Sequence, residues 1–183
     1  PNSEGHGGNV NITTGSLFVT NGAVLSSSTY SQENAGNVTI NARDLVSFDG
    51  VGTNGQRSGA KSRVEKDAGG NGGSVNITTG SLSVTNGAEL IVSSFGQGGA
   101  GDLIINARNT VRLDNQSRIG ATTIVGNQGN ISLRSQNLVL RRGSNITTDA
   151  TGSATGGNIT IDTGVIAALE DSNISANAQE AFG

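Results

Sequence analysis

One short phrase recurs six times along the chain and constrains the fold more than any other feature. Each copy is a glycine followed by alternating polar and branched aliphatic residues, as in GNVNI, GSVNI and GNITI. The repeated glycines are Gly8, Gly36, Gly73, Gly101, Gly129 and Gly157. Successive copies lie 28 residues apart, except for one interval of 37 residues. A fixed repeat of this length is typical of a solenoid, in which each repeat packs only on its neighbours.

The repeat that begins at Gly73 shows how one unit folds. Aliphatic residues alternate with polar ones in three short runs, which are separated by TGS at 79–81 and by NG at 86–87 and followed by a glycine-rich stretch at 96–101. A period of two places the aliphatic side chains on one face of a strand. We therefore predict an all-β, single-stranded parallel β-helix of about six coils, with three short strands per coil.

Equivalent positions of the six repeats carry aliphatic residues, as the stacking of coils requires. The first run supplies two columns, Val10, Val38, Val75, Leu103, Ile131, Ile159 and Ile12, Ile40, Ile77, Ile105, Leu133, Ile161. The second run supplies Val19, Phe48, Val84, Leu113, Leu140 and Leu169, and the third Leu25, Leu90, Ile119, Ile146 and Ile174. Strands stacked at about 4.8 Å would place like side chains above one another.

The spacing between the first and second runs alternates along the chain. It is seven residues in the odd-numbered repeats, as from Ile77 to Val84. It is eight in the even-numbered ones, as from Ile105 to Leu113 and from Ile161 to Leu169. This alternation predicts two kinds of corner that take turns along the rod.

Polar and charged residues also recur in register. The residue after each repeated glycine is polar, namely Asn9, Asn37, Ser74, Asp102, Asn130 and Asn158. Stacked side chains of this kind form hydrogen-bonded ladders along the axis. We also expect Arg134 to face Asp162, and Asp114, Arg141 and Glu170 to form one column of alternating sign. These contacts would set the register of the coils and serve the structure.

The repeats define one β-helix domain over residues 8–183, after a leader over 1–7 that we expect to be flexible. Coils one to six begin near residues 8, 36, 73, 101, 129 and 157, and the long interval predicts a nine-residue insertion in coil two, within 49–71. This insertion is the candidate binding loop, because loops on a rigid scaffold often carry binding residues. Its basic residues are Arg57, Lys61, Arg63 and Lys66. A solvated charged loop without a ligand is the alternative.

Composition argues against several classes of function. A net charge of −3 gives no extended basic field, so nucleic acid is not an expected partner. No apolar run approaches the roughly 20 residues that a membrane-spanning helix needs. Cysteine is absent and the single histidine, His6, lies in the leader, which disfavours catalytic triads and metal sites. We therefore predict no catalytic residue, metal or cofactor.

Longer phrases resemble a known family. ITTGSLSVTNGAEL at 77–90, AGDLIINAR at 100–108 and the closing ITIDTGVIAALEDSNISANAQEAFG are similar to repeats of filamentous-haemagglutinin-type exoproteins, above all the cyanobacterial members exported by two-partner secretion. The likeness extends from Gly7 onward. It implies a right-handed β-helix, export through a partner transporter of a Gram-negative outer membrane, and an adhesive role outside the cell.

The resemblance transfers no functional residue. The secretion domain with its Asn-Pro-Asn signature is not in this sequence, since Pro1 is the only proline. We therefore expect a shaft segment of a longer protein, with more coils and with the transporter contacted through another domain. Insertion of the shaft itself into a membrane is not expected.

The sequence thus predicts a structural and adhesive, non-catalytic shaft of a secreted or cell-surface protein, with a host, cell-surface or glycan ligand. The alternative is a carbohydrate-binding or carbohydrate-active module on the same scaffold. Clustered carboxylates or exposed aromatic side chains on a concave outer face would favour it. The aromatic residues are Phe18, Tyr30, Phe48, Phe95 and Phe182. Since Phe48 is assigned to the core, the sequence argues against an aromatic sugar platform.

Overall fold

The computed structural model describes residues 6–127 and 129–180, so most of the predicted leader lies outside the described residues. Gly7, at the end of that leader, already donates its N–H to the carbonyl oxygen of Asn34 at 2.8 Å. Both described ranges fold into strands and turns, and they contain no helix that could cross a membrane. The strands are β1 Val10–Thr20, β2 Val24–Thr29, β3 Val38–Asp49, β4 Gly59–Val64, β5 Val75–Thr79, β6 Ser81–Thr85, β7 Glu89–Ser94, β8 Leu103–Ala107, β9 Thr110–Asp114, β10 Arg118–Thr123, β11 Ile131–Arg141, β12 Asn145–Gly152, β13 Ile159–Ala168 and β14 Asn173–Glu180.

The strands stack in parallel into two sheets. The larger sheet has the order β1-β3-β5-β8-β11-β9-β6, with β13 paired to β11 and β6 also paired to β3. The smaller sheet has the order β14-β12-β10-β7-β4-β2. Each coil thus contributes one strand to the smaller sheet and either one long or two short strands to the larger one. This arrangement is a parallel β-solenoid of about six turns, as the repeat predicts.

The number of strands per coil differs from the prediction in four coils. Coils three and four have three separate strands, whereas the first two runs of coils one, two, five and six are joined in β1, β3, β11 and β13. In coil three the chain bends where the hydroxyl of Thr79 donates to the carbonyl oxygen of Ser81 at 3.0 Å. The same bond joins Ser135 to Asn137 inside the continuous strand β11, at 3.1 Å. The corner therefore exists in both cases.

The aliphatic columns are confirmed by the register of the strands except at Leu169 of coil six. Val38 pairs with Val10 and Val75, and Ile40 pairs with Ile12 and Ile77. In the smaller sheet, Ala60 of coil two fills the third-run column between Leu25 and Leu90. The buried core follows these columns, and Phe48 is its largest fully buried side chain.

The alternation of corners is confirmed in coils one to five and wrong in coil six. In coil six Ala168, and not Leu169, pairs with Leu140, while Leu169 is 50% exposed. The reason is local, because the hydroxyl of Thr163 donates to the carbonyl oxygen of Val165 at 3.2 Å. This is the bond that shapes the shorter corner of the odd-numbered coils, so coil six takes the seven-residue spacing.

The turn into the smaller sheet uses two consecutive residues in the left-handed region. Asn86 and Gly87 have φ angles of 55° and 80°, and the N–H of Ala88 donates to the carbonyl oxygen of Thr85 at 3.1 Å. Asparagine and glycine adopt this conformation at the lowest cost. Coil six places Glu170 and Asp171 there instead, with φ angles of 55° and 61°.

The polar ladder after the repeated glycines is confirmed at every step. Each side chain accepts a hydrogen bond from the backbone N–H of the next coil. The acceptor–donor pairs are Asn9–Asn37 at 2.8 Å, Asn37–Ser74 at 2.8 Å, Ser74–Asp102 at 3.2 Å, Asp102–Asn130 at 3.0 Å and Asn130–Asn158 at 3.0 Å. These bonds join all six coils along one edge of the rod.

Candidate functional site

The insertion of coil two is not a single loop. From Phe48 to Ala60 the chain takes twelve residues, against six from Val84 to Leu90 in coil three. The added residues form a small excursion that is closed by an antiparallel bridge between Val51 and Arg57. The chain then enters the smaller sheet as β4, so the candidate residues Lys61 and Arg63 lie on a strand. Lys66 follows that strand and is exposed.

Arg57 is separated from the other three candidate residues and anchors the excursion. Its Nη1 donates to the carbonyl oxygen of Gly87 at 2.6 Å, and its Nε lies 3.9 Å from the carboxylate of Glu89. Both partners belong to coil three. The guanidinium therefore ties the excursion to the next coil, which is a structural role.

Lys61 and Arg63 share the outer face of the smaller sheet. Along β4 the residues between them and beside them, Ala60, Ser62 and Val64, are buried. Strand pairing places Arg63 next to Ser93 of β7. Two of the four predicted residues, Lys61 and Arg63, therefore lie together on the outer face of β4.

Two exposed aromatic side chains flank these cations. Tyr30 is 80% exposed and Phe95 is 37% exposed. The N–H of Glu65 donates to Thr29, and that of Phe95 donates to Val64, which sets Tyr30, Glu65 and Phe95 at one level on successive coils. We call Tyr30, Lys61, Arg63, Glu65 and Phe95 the basic–aromatic patch.

The aromatic members of the patch were missed by the sequence argument, although a signal was present. Tyr30 and Phe95 each stand five residues after the third-run aliphatic of their coil, Leu25 and Leu90. Equal offsets from a core column place residues at equivalent positions of a solenoid. The expectation that no aromatic platform exists is therefore not supported on this face.

The guanidinium of Arg63 rests on the ring of Phe95. The Cζ atom lies 5.1 Å from the ring centroid, within the range of a cation–π contact. The nearest carboxylate, that of Glu65, is 3.9 Å from Nη1. Arg63 is thus held by a ring and by a long ionic contact, without a short hydrogen bond to a carboxylate.

Two polar atoms under the patch have no hydrogen-bond partner. Among the described residues, Nε of Arg63 and Oγ of Ser93 are the buried side-chain polar atoms without one. They belong to residues paired across β4 and β7. An unsatisfied buried donor or acceptor costs about 1–3 kcal/mol. The two unsatisfied atoms therefore belong to neighbouring residues of the smaller sheet, beneath the patch.

The remaining basic residues of this face carry free charge. Within the described ranges, neither Lys61 nor Lys66 has a carboxylate within ion-pairing distance. Lys61 is partly exposed and Lys66 is exposed. Within the patch itself, the cations of Lys61 and Arg63 stand beside one carboxylate, that of Glu65.

Charged residues of the larger sheet pair with one another across coils. Arg134 and Asp162 are neighbours on β11 and β13, with Nε and Oδ2 3.2 Å apart, as predicted. Arg141 contacts Glu170 at 2.6 Å, which confirms that step of the predicted column. Arg141 also pairs in register with Asp114 of β9, as predicted, although no ion pair joins these two side chains within the described residues.

Asp114 is instead held by two other arginines. Nε and Nη2 of Arg142 each donate to its carboxylate at 2.7 Å, and Arg112 donates to it as well. Burial alone would raise the pKa of Asp114, but the hydrogen bond from Arg142 and the charges of Arg112 and Arg142 outweigh it and lower that pKa. The carboxylate is therefore ionised and fully used.

The other carboxyl groups with shifted pKa behave in the same way. The hydrogen bond from Arg43 lowers the pKa of Asp44, and that from Arg141 lowers the pKa of Glu170. A general acid at neutral pH needs a raised pKa. These carboxylates are thus suited to ion pairing rather than to proton transfer.

A shallow groove runs along the outside of the corner between the first and second runs, in coils three to six. Its volume is about 460 Å³, and its polar lining includes Thr78, Asn106, Arg108, Arg134, Gln136 and Asp162. Asp162 is the only carboxylate among its lining residues, and it is already paired with Arg134. Glycoside hydrolysis uses two carboxylates across a groove, which this lining does not provide.

No cluster of three or more metal-ligating side chains is found within 6–127 and 129–180. The basic–aromatic patch is the region where buried side-chain polar atoms of the described residues have no hydrogen-bond partner. Comparison of the chain with protein-family models, with curated proteins and with solved structures finds no match.

Proposed function

We propose that this chain is a structural and adhesive shaft of a secreted or cell-surface exoprotein, without catalytic activity. The observation that supports it most directly is the polar ladder, which links every described coil to the next through a side chain and a backbone N–H. A solenoid held along its whole length in this way presents a long, stiff surface. Six coils at about 4.8 Å give a rod of about 29 Å.

The use of the charged residues agrees with this proposal. Five of the eight arginines in described ion pairs contact a carboxylate on another coil, namely Arg57, Arg118, Arg134, Arg141 and Arg142. Such contacts fix the register of coils. The carboxylates with shifted pKa are kept ionised by these or neighbouring arginines, which leaves them poor candidates for acid catalysis.

Export is the part of the proposal that rests on the resemblance. Repeats similar to those of filamentous-haemagglutinin-type exoproteins favour passage through a partner transporter of a Gram-negative outer membrane, by way of a domain outside this sequence. The adhesive part adds a ligand on a host, on another cell or in a glycan layer.

Surface labelling tests the location. Antibodies raised against the chain should label intact, unpermeabilised producing cells or detect the protein in the medium. Labelling only after permeabilisation would contradict export.

Adhesion is tested separately with Fab fragments of the same serum. They should lower the number of producing cells that attach to a host-cell layer or to a glycan-coated surface, relative to Fab fragments from pre-immune serum. Unchanged attachment on both surfaces would remove the adhesive role and leave the shaft as scaffold alone.

A further inference from the structure

We propose that the basic–aromatic patch binds an acidic polysaccharide. The sugar rings would lie on Tyr30 and Phe95, and their acidic groups would accept hydrogen bonds from Arg63 and Lys61. This inference rests on the proposed adhesive function, because it names the chemistry of the adhesive contact. It assigns a ligand class to a patch whose hydrogen-bonding groups the rod leaves partly unpaired.

The aromatic side chains provide the apolar part of such a site. The C–H faces of a sugar ring are apolar, and an aromatic ring exposed next to polar groups is a suitable surface for them. Tyr30 and Phe95 stand on coils one and three, two strand spacings or about 10 Å apart. This separation is about twice the length of one pyranose unit, so the two rings would contact alternate sugars of an extended glycan chain.

The cations provide the acidic specificity. Lys61 has no carboxylate partner among the described residues, and Arg63 has only the 3.9 Å contact with Glu65. An anionic group at this position gains charge-assisted hydrogen bonds, which are stronger than neutral ones. A neutral glycan gains none, so affinity should depend on the acidic groups.

The unpartnered atoms give Arg63 and Ser93 hydrogen-bonding capacity that the rod does not use. Nε of Arg63 and Oγ of Ser93 are buried and unsatisfied while the guanidinium rests on Phe95. A rotation of Arg63 towards a ligand would uncover the ring of Phe95 and open Ser93 to an acceptor or donor. The ligand would then satisfy atoms that the free protein leaves unpaired.

Titration calorimetry of the full chain tests the proposal. The probes are a galacturonic acid hexamer, a heparin-derived hexasaccharide, maltohexaose as the neutral sugar, and a six-nucleotide DNA strand. We expect saturable binding of at least one acidic oligosaccharide, weakened by salt, and at least about tenfold tighter than maltohexaose, since at least one charge-assisted hydrogen bond is added. The ratio between the galacturonate and heparin affinities identifies the preferred acidic group.

Substitutions locate the site. Arg63→Gln and Phe95→Leu should each weaken binding at least about tenfold. The matched controls lie on the larger sheet, where Arg134 is an exposed arginine and Phe18 an exposed aromatic residue. Arg134→Gln and Phe18→Leu should leave binding unchanged. Circular dichroism melting checks folding, and Lys61→Gln replaces any patch variant that fails to fold.

Three results would overturn the proposal. They are the absence of binding to both acidic oligosaccharides, equal or tighter binding of DNA, and equal weakening by patch and control variants. Surface labelling and antibody inhibition of attachment are measured on cells and do not depend on these three results. Failure of the site is therefore distinguishable from failure of the proposed function.

Discussion

Arginines at two places on the outer surface of the rod are used in opposite ways. On the larger sheet, Arg142 and Arg112 enclose the carboxylate of Asp114, whose side chain is only 3% exposed. On the smaller sheet, Arg63 rests on a ring and keeps a buried Nε without a partner. The first arrangement completes the hydrogen bonding of the rod and the second leaves it incomplete. The difference separates surface that stabilises the solenoid from surface that is available to a ligand.

The largest difference should appear on removing the charge of Asp114. Asp114→Asn leaves two arginines beside a neutral amide and should lower the free energy of unfolding by about 2 kcal/mol. This is below the range for fully buried pairs, because the arginines are half exposed. Thermal unfolding followed by circular dichroism measures it. Asp162→Asn, which breaks an exposed pair, is the matched control and should cost at most about 0.5 kcal/mol. Equal losses of unfolding free energy in the two variants would show that the Asp114 cluster stabilises the fold no more than an exposed ion pair does.

Acid should lower the stability of the rod through Asp114. A carboxyl group whose pKa is lower in the folded chain adds stability that is complete above its unfolded pKa and is lost as pH falls through its folded pKa. The pKa of Asp114 lies below the ordinary 3.8. The melting temperature should therefore fall as pH drops below about 4, and it should fall less steeply in Asp114→Asn. Parallel pH profiles for the two proteins would contradict this account.

The core of the fold could be predicted because each repeat states it again. The alternation of aliphatic residues fixes which side chains face inward, and the 28-residue interval fixes which of them stack. The polar ladder follows from the same register, since the side chain and the N–H that it binds both stand directly after a repeated glycine. Information of this kind is local and periodic, so it can be inferred from the sequence alone.

The exceptions depend on contacts that no single repeat contains. Ala60 occupies a column of larger aliphatic residues because β4 pairs with both β2 and β7. This pairing fixes the position of Ala60 although its side chain is small. Counting from Ile161 places Leu169 inward, but the hydrogen bond from the Thr163 hydroxyl shortens that corner. The patch shows the same limit, because equal offsets align Tyr30 with Phe95 while the position of Arg63 on the ring depends on packing between coils.

A ladder residue should have a moderate effect. The side chain of Asn37 accepts a hydrogen bond from the N–H of Ser74, so Asn37→Ala removes one link between coils two and three. The expected loss of unfolding free energy is about 1 kcal/mol, measured by thermal melting. Asn41→Ala, four residues later on β3, is the control, because Asn41 makes no side-chain hydrogen bond within the described residues and should melt like the parent. A ladder variant that also melts like the parent would mean that solvent replaces this bond at no cost.

The smallest effect is expected where the hydrogen bonding is already incomplete. Arg63→Met keeps an unbranched side chain over Phe95 and removes the unsatisfied Nε, so the unfolding free energy should change by no more than about 0.5 kcal/mol in either direction. The same thermal melt that detects Asp114→Asn measures this change. A loss as large as that of Asp114→Asn would show that Arg63 stabilises the fold as much as the Asp114 cluster does. Arg63 would then not differ from the arginines that bind Asp114. An unchanged or slightly raised stability would show that Arg63 is not retained for folding, which is the condition for a residue kept to bind something else.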